Sequence, residues 1–185
     1  NRTNKEYFKT AYQPKGFFPP EMCYSNGLVN LLEEFGFEWV IVDEIAFNGK
    51  IGEVSKKHIF EIKDSAGLKV YFKERKVSTA ISYRQCSHKN ELLALTQELQ
   101  LSKGYLLTGT DGETYGHHWP RQINLLEEVY EDNHILSIKV SDLKEKYPKT
   151  NKVVPIASSW SLWEDEFKEG LEYPQWLDPE NEIHK

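Results

Sequence analysis

The chain has 185 residues, 39% hydrophobic and 13% aromatic, enough for one domain whose core needs no staples. Its 23 basic and 29 acidic side chains leave a net charge of −6 with no basic run, which argues against gripping a phosphate backbone. Cys23 and Cys86 stand in no metal-ligand or disulfide-scaffold spacing, and no apolar stretch reaches the roughly 18 residues of a membrane span. The opening Asn1-Arg2-Thr3-Asn4-Lys5 has neither an apolar signal segment nor an initiator Met. The expectation is therefore a cytoplasmic chain that begins inside a longer protein.

In chain order, Lys5–Ala11 reads as the tail of a helix that Pro14 ends. Gly16-Phe17-Phe18 is a short apolar strand stopped by Pro19-Pro20. Ser25 or Asn26 caps a helix with Leu28, Leu31, Leu32 and Phe35 at helical spacing, and Gly36 stops it. Trp39–Val42 is a continuous apolar strand, so the opening pattern is strand, helix, strand. Ile59–Ile62 and Leu68–Phe72 flank Asp64-Ser65-Ala66-Gly67 and predict a hairpin. A helix follows from Lys89 to Leu99, then a strand at Gly104–Thr108. Pro120 suits the first turn of the next helix, whose apolar face is Ile123, Leu126, Val129 and Tyr130. Ile135–Ile138 predicts a strand, Ser141–Tyr147 a helix capped by Ser141, and Val153–Ile156 a last strand. From Ser158 the chain is irregular and rich in Trp and acid. Strands alternating with helices predict an α/β fold, a parallel sheet or barrel with its strand carboxyl ends on one side.

Ligands of such folds bind at those carboxyl ends. Glu21 follows the first strand there, and Asp43 and Glu44 follow the second. Asp111, Glu113, His117 and His118 follow Gly104–Thr108, and Ser158, Ser159 and Trp160 follow the last. Carboxylates beside aromatic rings at one rim suit sugar chemistry, in which one carboxyl attacks the anomeric carbon and another protonates the leaving oxygen. Each residue also has a plainer reading. Glu21 could complement a helix dipole, Asp111-Gly112 is an ordinary turn signal, and Asp43 could bond a loop N–H. Arg75 could be a solvated charge, half of an ion pair, or a cation beside Glu21. Trp160 and Trp163 could be core or sugar platforms, and Trp39 reads as core. Adjacent His117 and His118 rarely share a metal, and none is expected; Cys23 reads as a packed thiol.

Two longer segments go further. Gly16-Phe17-Phe18-Pro19-Pro20-Glu21 resembles the Gly-aromatic-x-Pro-Glu segment of family 57 glycoside hydrolases. Thr110-Asp111-Gly112-Glu113-Thr114-Tyr115-Gly116-His117-His118-Trp119 resembles that family's Asp-x-Glu-x-aromatic-Gly-His segment. Ala157-Ser158-Ser159-Trp160 is similar to its downstream Ser-Trp segment. The resemblance implies a retaining α-glucan hydrolase or transferase with Glu21 as nucleophile and Asp111 as acid/base. Asp43, Glu113, His117, Trp119 and Trp160 are then expected at the substrate, an oligosaccharide or polysaccharide, with no cofactor, nucleic acid or membrane partner. It also implies part of an irregular (β/α)7-type barrel with an inserted hairpin. Residues 1–185 would form one domain, with catalytic strands at 16–22 and 104–111 and a C-terminal extension starting at 158. The family's His-x-Pro strand motif has no match before Glu21. The alternatives are a metal-dependent polysaccharide deacetylase, which lacks its His-x-x-x-His spacing here, and a non-catalytic glycan-binding remnant.

Overall fold

The computed structural model describes residues 2–99 and 104–184. In order, the regular elements are α1 (Arg2–Phe8), β1 (Gly16–Phe17), α2 (Gly27–Glu34), β2 (Trp39–Asp43), β3 (Ile59–Ile62), β4 (Lys69–Lys73), α3 (Arg75–Ser82), α4 (Lys89–Glu98), α5 (Ile123–Glu131), α6 (Leu143–Lys146), β5 (Thr150–Val153), α7 (Glu164–Lys168) and α8 (Pro174–Leu177). Five strands form one sheet in the order β1-β2-β4-β3-β5. β1, β2 and β4 are parallel, β3 runs antiparallel to β4 as the expected hairpin, and β5 runs parallel to β3. The α/β fold with a mostly parallel sheet is as expected.

Alternation along the strands sorts the side chains between two faces. On one face Val40, Val42, Val70, Phe72, Phe60 and Ile62 pack against Val29 and Leu32 of α2. On the other, Ile59 and Tyr71 meet Leu143, with Trp39, Ile41, Tyr105 and Leu107 against them. A third cluster, around Val77, Ile81, Cys86 and Leu125, joins α3, α4 and α5. Gly16 is required by its neighbour. A Cβ there would fall inside the indole of Trp39, its partner in the β1–β2 register.

Several expected elements move, each for a local reason. Gly104–Thr108 is extended but joins no ladder; it is tied down by Tyr105 N–H to Lys56 O (2.9 Å) and Glu74 N–H to Leu107 O (2.8 Å). Ile135–Ile138 also forms no strand, and Leu136 is exposed: β propensity without a partner edge makes no sheet. The last strand ends at Val153 rather than Ile156, because Pro155 has no N–H to give the ladder. α5 starts at Ile123 rather than Pro120, since Arg121 is left-handed (φ 74°). α6 takes no side-chain cap from Ser141.

Candidate active site

The carboxyl ends of β1, β2 and β4 lie together, and each apolar strand there is followed by charge. Asp43 closes β2 and Lys73 closes β4, and the parallel register sets them side by side. Asp43 is fully buried. Arg75 Nη2 reaches Oδ1 at 2.5 Å, the Ile45 N–H donates to the same oxygen at 3.1 Å, and Lys73 Nζ faces Oδ2 at 3.1 Å as an ion pair. Arg75 also donates to Leu162 O at 2.6 Å, and its guanidinium lies 5.1 Å from the ring centre of Trp163. Behind this group, buried Glu44 accepts from Arg75 N–H (2.8 Å) and Gly52 N–H (3.1 Å) and pairs with Lys56 (3.3 Å). Glu74 caps α3 through the Lys76 and Val77 N–H groups. Burial pushes its carboxyl above the usual range; the Val77 N–H opposes this and the Glu44 charge adds to it. Buried charges persist when each has a partner, and this cluster meets that condition at Asp43 and Glu44.

Beyond β1, Pro19-Pro20 leads into a tight turn in which Glu21 (φ 56°, ψ 18°) and Met22 (φ 48°) are both left-handed. Neither is glycine, so the turn holds about 1–3 kcal/mol of strain per residue that its surroundings must offset. The chain from Ser158 to Trp160 supplies that support. Tyr24 and Ser158 exchange N–H···O bonds of 2.9 and 3.1 Å, and Trp160 N–H donates to Glu21 O at 3.1 Å. The Trp160 indole N–H then donates to Glu21 Oε2 at 2.6 Å. Lys73 Nζ stands 5.1 Å from the centre of the Trp160 ring, a cation–π contact, and Phe18 meets that ring edge-on at 6.3 Å.

The Asp111 loop adjoins this turn through Gly109. At Gly109 a Cβ would stand 3.0 Å from Met22 Cε and 3.2 Å from Lys73 Cδ, so this loop packs closely on the Glu21 turn. Gly109 N–H donates to Ser78 Oγ at 3.1 Å. Two residues on, Asp111 precedes a 3-10 turn, Gly112–Tyr115, that buries Thr114.

A sequence profile described as Glycosyl hydrolase family 57 matches residues 1–156. The chain belongs to glycosyl hydrolase family 57. Among solved structures, a 4-alpha-glucanotransferase from Thermococcus litoralis superposes with TM-score 0.68 at 18% identity, covering 86% of this chain and 27% of that one. A family 57 branching enzyme from Thermococcus kodakaraensis gives 0.70 at 17% identity, covering 86% and 44%. A maltose-forming amylase from Pyrococcus sp. ST04 gives 0.71 at 16% identity, covering 95% and 34%. At these identities the likeness is one of fold. This family 57 chain spans less than half the length of each of these three and is a partial domain of their (β/α)7-type barrel. No curated protein matches it.

Within this family 57 frame, the expected residues divide. Glu21 and Trp160 meet directly, and the Asp111 loop adjoins them through Gly109. Asp111, Glu113, His117 and His118 are exposed. The two imidazoles stack edge-on at 5.2 Å. Three further residues are engaged by the protein itself. Asp43 sits inside the fold with its charge committed to Lys73 and Arg75, away from any solvent-borne sugar. Arg75 faces Asp43 and Leu162 O rather than serving as the free cation at Glu21. Trp119 spends its indole N–H on Ser82 O at 2.7 Å, anchoring the Asp111 loop to the end of α3. Lys73 went unmarked in the sequence. Its signal was available: Lys73-Glu74-Arg75 follows Val70-Tyr71-Phe72 as Asp43-Glu44 follows Val40-Ile41-Val42.

Cys23 is half-buried beside the turn. Burial, with the Glu21 charge adding to it, pushes its thiol up to about 11, against a 3.5 Å contact from Gln175 Nε2. It is a packed thiol, as expected. A cavity of about 550 Å³ lies elsewhere, lined by apolar residues such as Leu92, Tyr105, Leu125 and Ile138, and includes neither Glu21 nor Asp111. Among the described residues no group of three or more His, Cys, Asp or Glu could hold a metal ion, and no helix is long and apolar enough to cross a membrane.

Proposed function

We propose that this chain carries the two-carboxylate centre of a retaining enzyme acting on α-glucans, with Glu21 as nucleophile and Asp111 as acid/base. The observation that carries the reading is Glu21 itself. It is a carboxylate on a left-handed turn at a strand's carboxyl end, gripped by an indole N–H, with the Asp111 loop packed on the same turn. Strain of this kind at a polar side chain is a mark of a working group. Membership of family 57, and neighbours titled amylase, glucanotransferase and branching enzyme, support the substrate class.

The chemistry runs in two halves. Glu21 attacks C1 of the sugar as the glycosidic C1–O bond breaks and the Asp111 proton passes to the leaving oxygen. Water, or a sugar hydroxyl, then adds to C1, gives its proton to Asp111, and the glycosyl–Glu21 bond returns its electron pair to the carboxylate. Exposed Glu113, His117 and His118 stand on the Asp111 loop, where an incoming glucan would pass. Residues 158–184, which include α7 and α8, are read as an extension beyond the barrel segment.

An α-glycosyl fluoride supplies the test, because fluoride leaves without an acid. With Asp111→Asn, glycosylation proceeds and deglycosylation stalls for want of a base. Mass spectrometry of the peptides is expected to find the adduct on Glu21. An adduct on another residue, or full turnover by Glu21→Gln, would refute the assignment.

A further inference from the structure

We infer that Trp160 is a positioning residue for the nucleophile, fixing Oε2 of Glu21 and leaving Oε1 as the oxygen that attacks; this rests on the reading of Glu21 given above. The indole is held on three sides. Its own backbone N–H is bonded to Glu21 O, the Lys73 ammonium lies over its ring, and Phe18 makes a T-shaped contact with it. Lys73 is in turn fixed by Asp43, its neighbour across the β2–β4 register. The donor aimed at Glu21 Oε2 therefore cannot swing as a hydroxyl does, and it carries one proton that it does not exchange for a lone pair. Oε1 has no hydrogen bond among the described residues, so it is the oxygen free to meet C1.

A ring facing an ammonium on one side and pointing its N–H at a carboxylate is poorly disposed as a sugar platform. It is well disposed to hold a carboxylate. The consequence falls unequally on the two halves of the reaction. An N–H donor holds a carboxylate oxygen more strongly than the carbonyl oxygen of an ester. When C1–Oε1 forms, Oε2 becomes that carbonyl and the indole bond weakens. When C1–Oε1 breaks, Oε2 regains charge and the bond strengthens. Trp160 thus favours release of the glycosyl group, the step that regenerates the carboxylate.

The experiment compares the full chain with Trp160→Phe, which keeps a ring and removes the N–H. Both are charged with α-glucosyl fluoride and followed by quenched intact-protein mass. The glycosyl–enzyme lifetime is expected to lengthen about 10- to 100-fold in the variant, with KM changed far less. A raised KM with an unchanged lifetime is the platform result and overturns the inference. A second readout needs no activity and leaves Trp160 in place. The chain has five tryptophans, and the Trp160 indole resonance in a 1H–15N spectrum is identified by its loss in Trp160→Phe. It is expected to move in Glu21→Gln while the other four stay, and its failure to move overturns the clamp. If no adduct forms on either protein, the nucleophile assignment falls, and the indole spectrum alone decides whether Trp160 holds Glu21.

Discussion

Replacing Asp43 by Asn removes one charge and little else. The amide keeps the side chain's shape and an acceptor for the Ile45 N–H, so the change isolates what the charge does. It leaves two cations, Arg75 at 2.5 Å and Lys73 at 3.1 Å, inside the protein without their shared counter-charge. Those cations are 4% and 6% exposed and cannot rehydrate without opening the strand ends. At an effective dielectric near 20, each contact at such distances carries about 5–7 kcal/mol of attraction. Part of that only repays desolvation, and breaking one partner of a buried ion pair costs about 3–5 kcal/mol net. Against a total stability of about 5–15 kcal/mol this is severe. It corresponds to a drop in Tm of about 6–20 °C for a chain of this size. Urea unfolding followed by tryptophan fluorescence and by far-ultraviolet circular dichroism gives the loss directly, provided the two transitions coincide. Asp165→Asn is the control. It breaks an exposed pair with Lys168 of 2.8 Å and should leave the unfolding midpoint essentially unchanged. A cost for Asp43→Asn within about 1 kcal/mol of wild type would refute the account of a charge-locked junction between β2 and β4.

Gly16→Ala drives a methyl group into the Trp39 indole, which is itself packed edge-on against Tyr71 at 6.0 Å, so β1 must shift. The expected cost is about 1–3 kcal/mol in the same urea experiment, and an unchanged midpoint would show that the indole yields freely. The His88 imidazole, 2.9 Å from Glu128, is held above the usual histidine value of about 6.5 by that hydrogen bond and charge. A raised folded pKa means that the pair's contribution is complete below about pH 6.5 and fades as pH rises through the raised value. Titration of the histidine ring protons by NMR should give His88 a midpoint above 6.5, and one at or below it would be inconsistent with the pair.

The parallel strands and the hairpin were legible because their apolar runs are continuous and their turn is rich in small and polar residues. Trp39–Val42 read as a strand from its unbroken apolar run, with Val40 and Val42 buried and Trp39 and Ile41 partly so. Ile135–Ile138 carried the same signal and misled, because a short apolar run records affinity for an apolar surface and does not say whether a ladder edge is vacant beside it. Glu21 and Asp111 stood out through the short motifs around them. The grip of Trp160 on Glu21 did not. Its partners are 139 positions apart, and no local pattern encodes which edge of an indole will face which carboxylate. The two readings of Asp43 could not be told apart for a related reason: a carboxylate at a strand end reads alike whether it meets solvent or two buried cations, and the cations came from the end of a different strand.

That separation of 139 positions sets an order on the making of the protein. Glu21, Asp43, Lys73 and Asp111 all leave the ribosome before Trp160, at about 5–20 residues per second. Closing so long a loop costs little more than closing one half its length, about 0.6 kcal/mol per doubling, so the delay is one of synthesis rather than of entropy. Until residue 160 has emerged and docked, the Glu21 turn lacks the contacts that offset its left-handed backbone and relaxes to ordinary angles. The nascent chain therefore holds the Glu21 carboxylate unaimed until the strand ends are sealed, and on the proposed reading it gains its nucleophile only then.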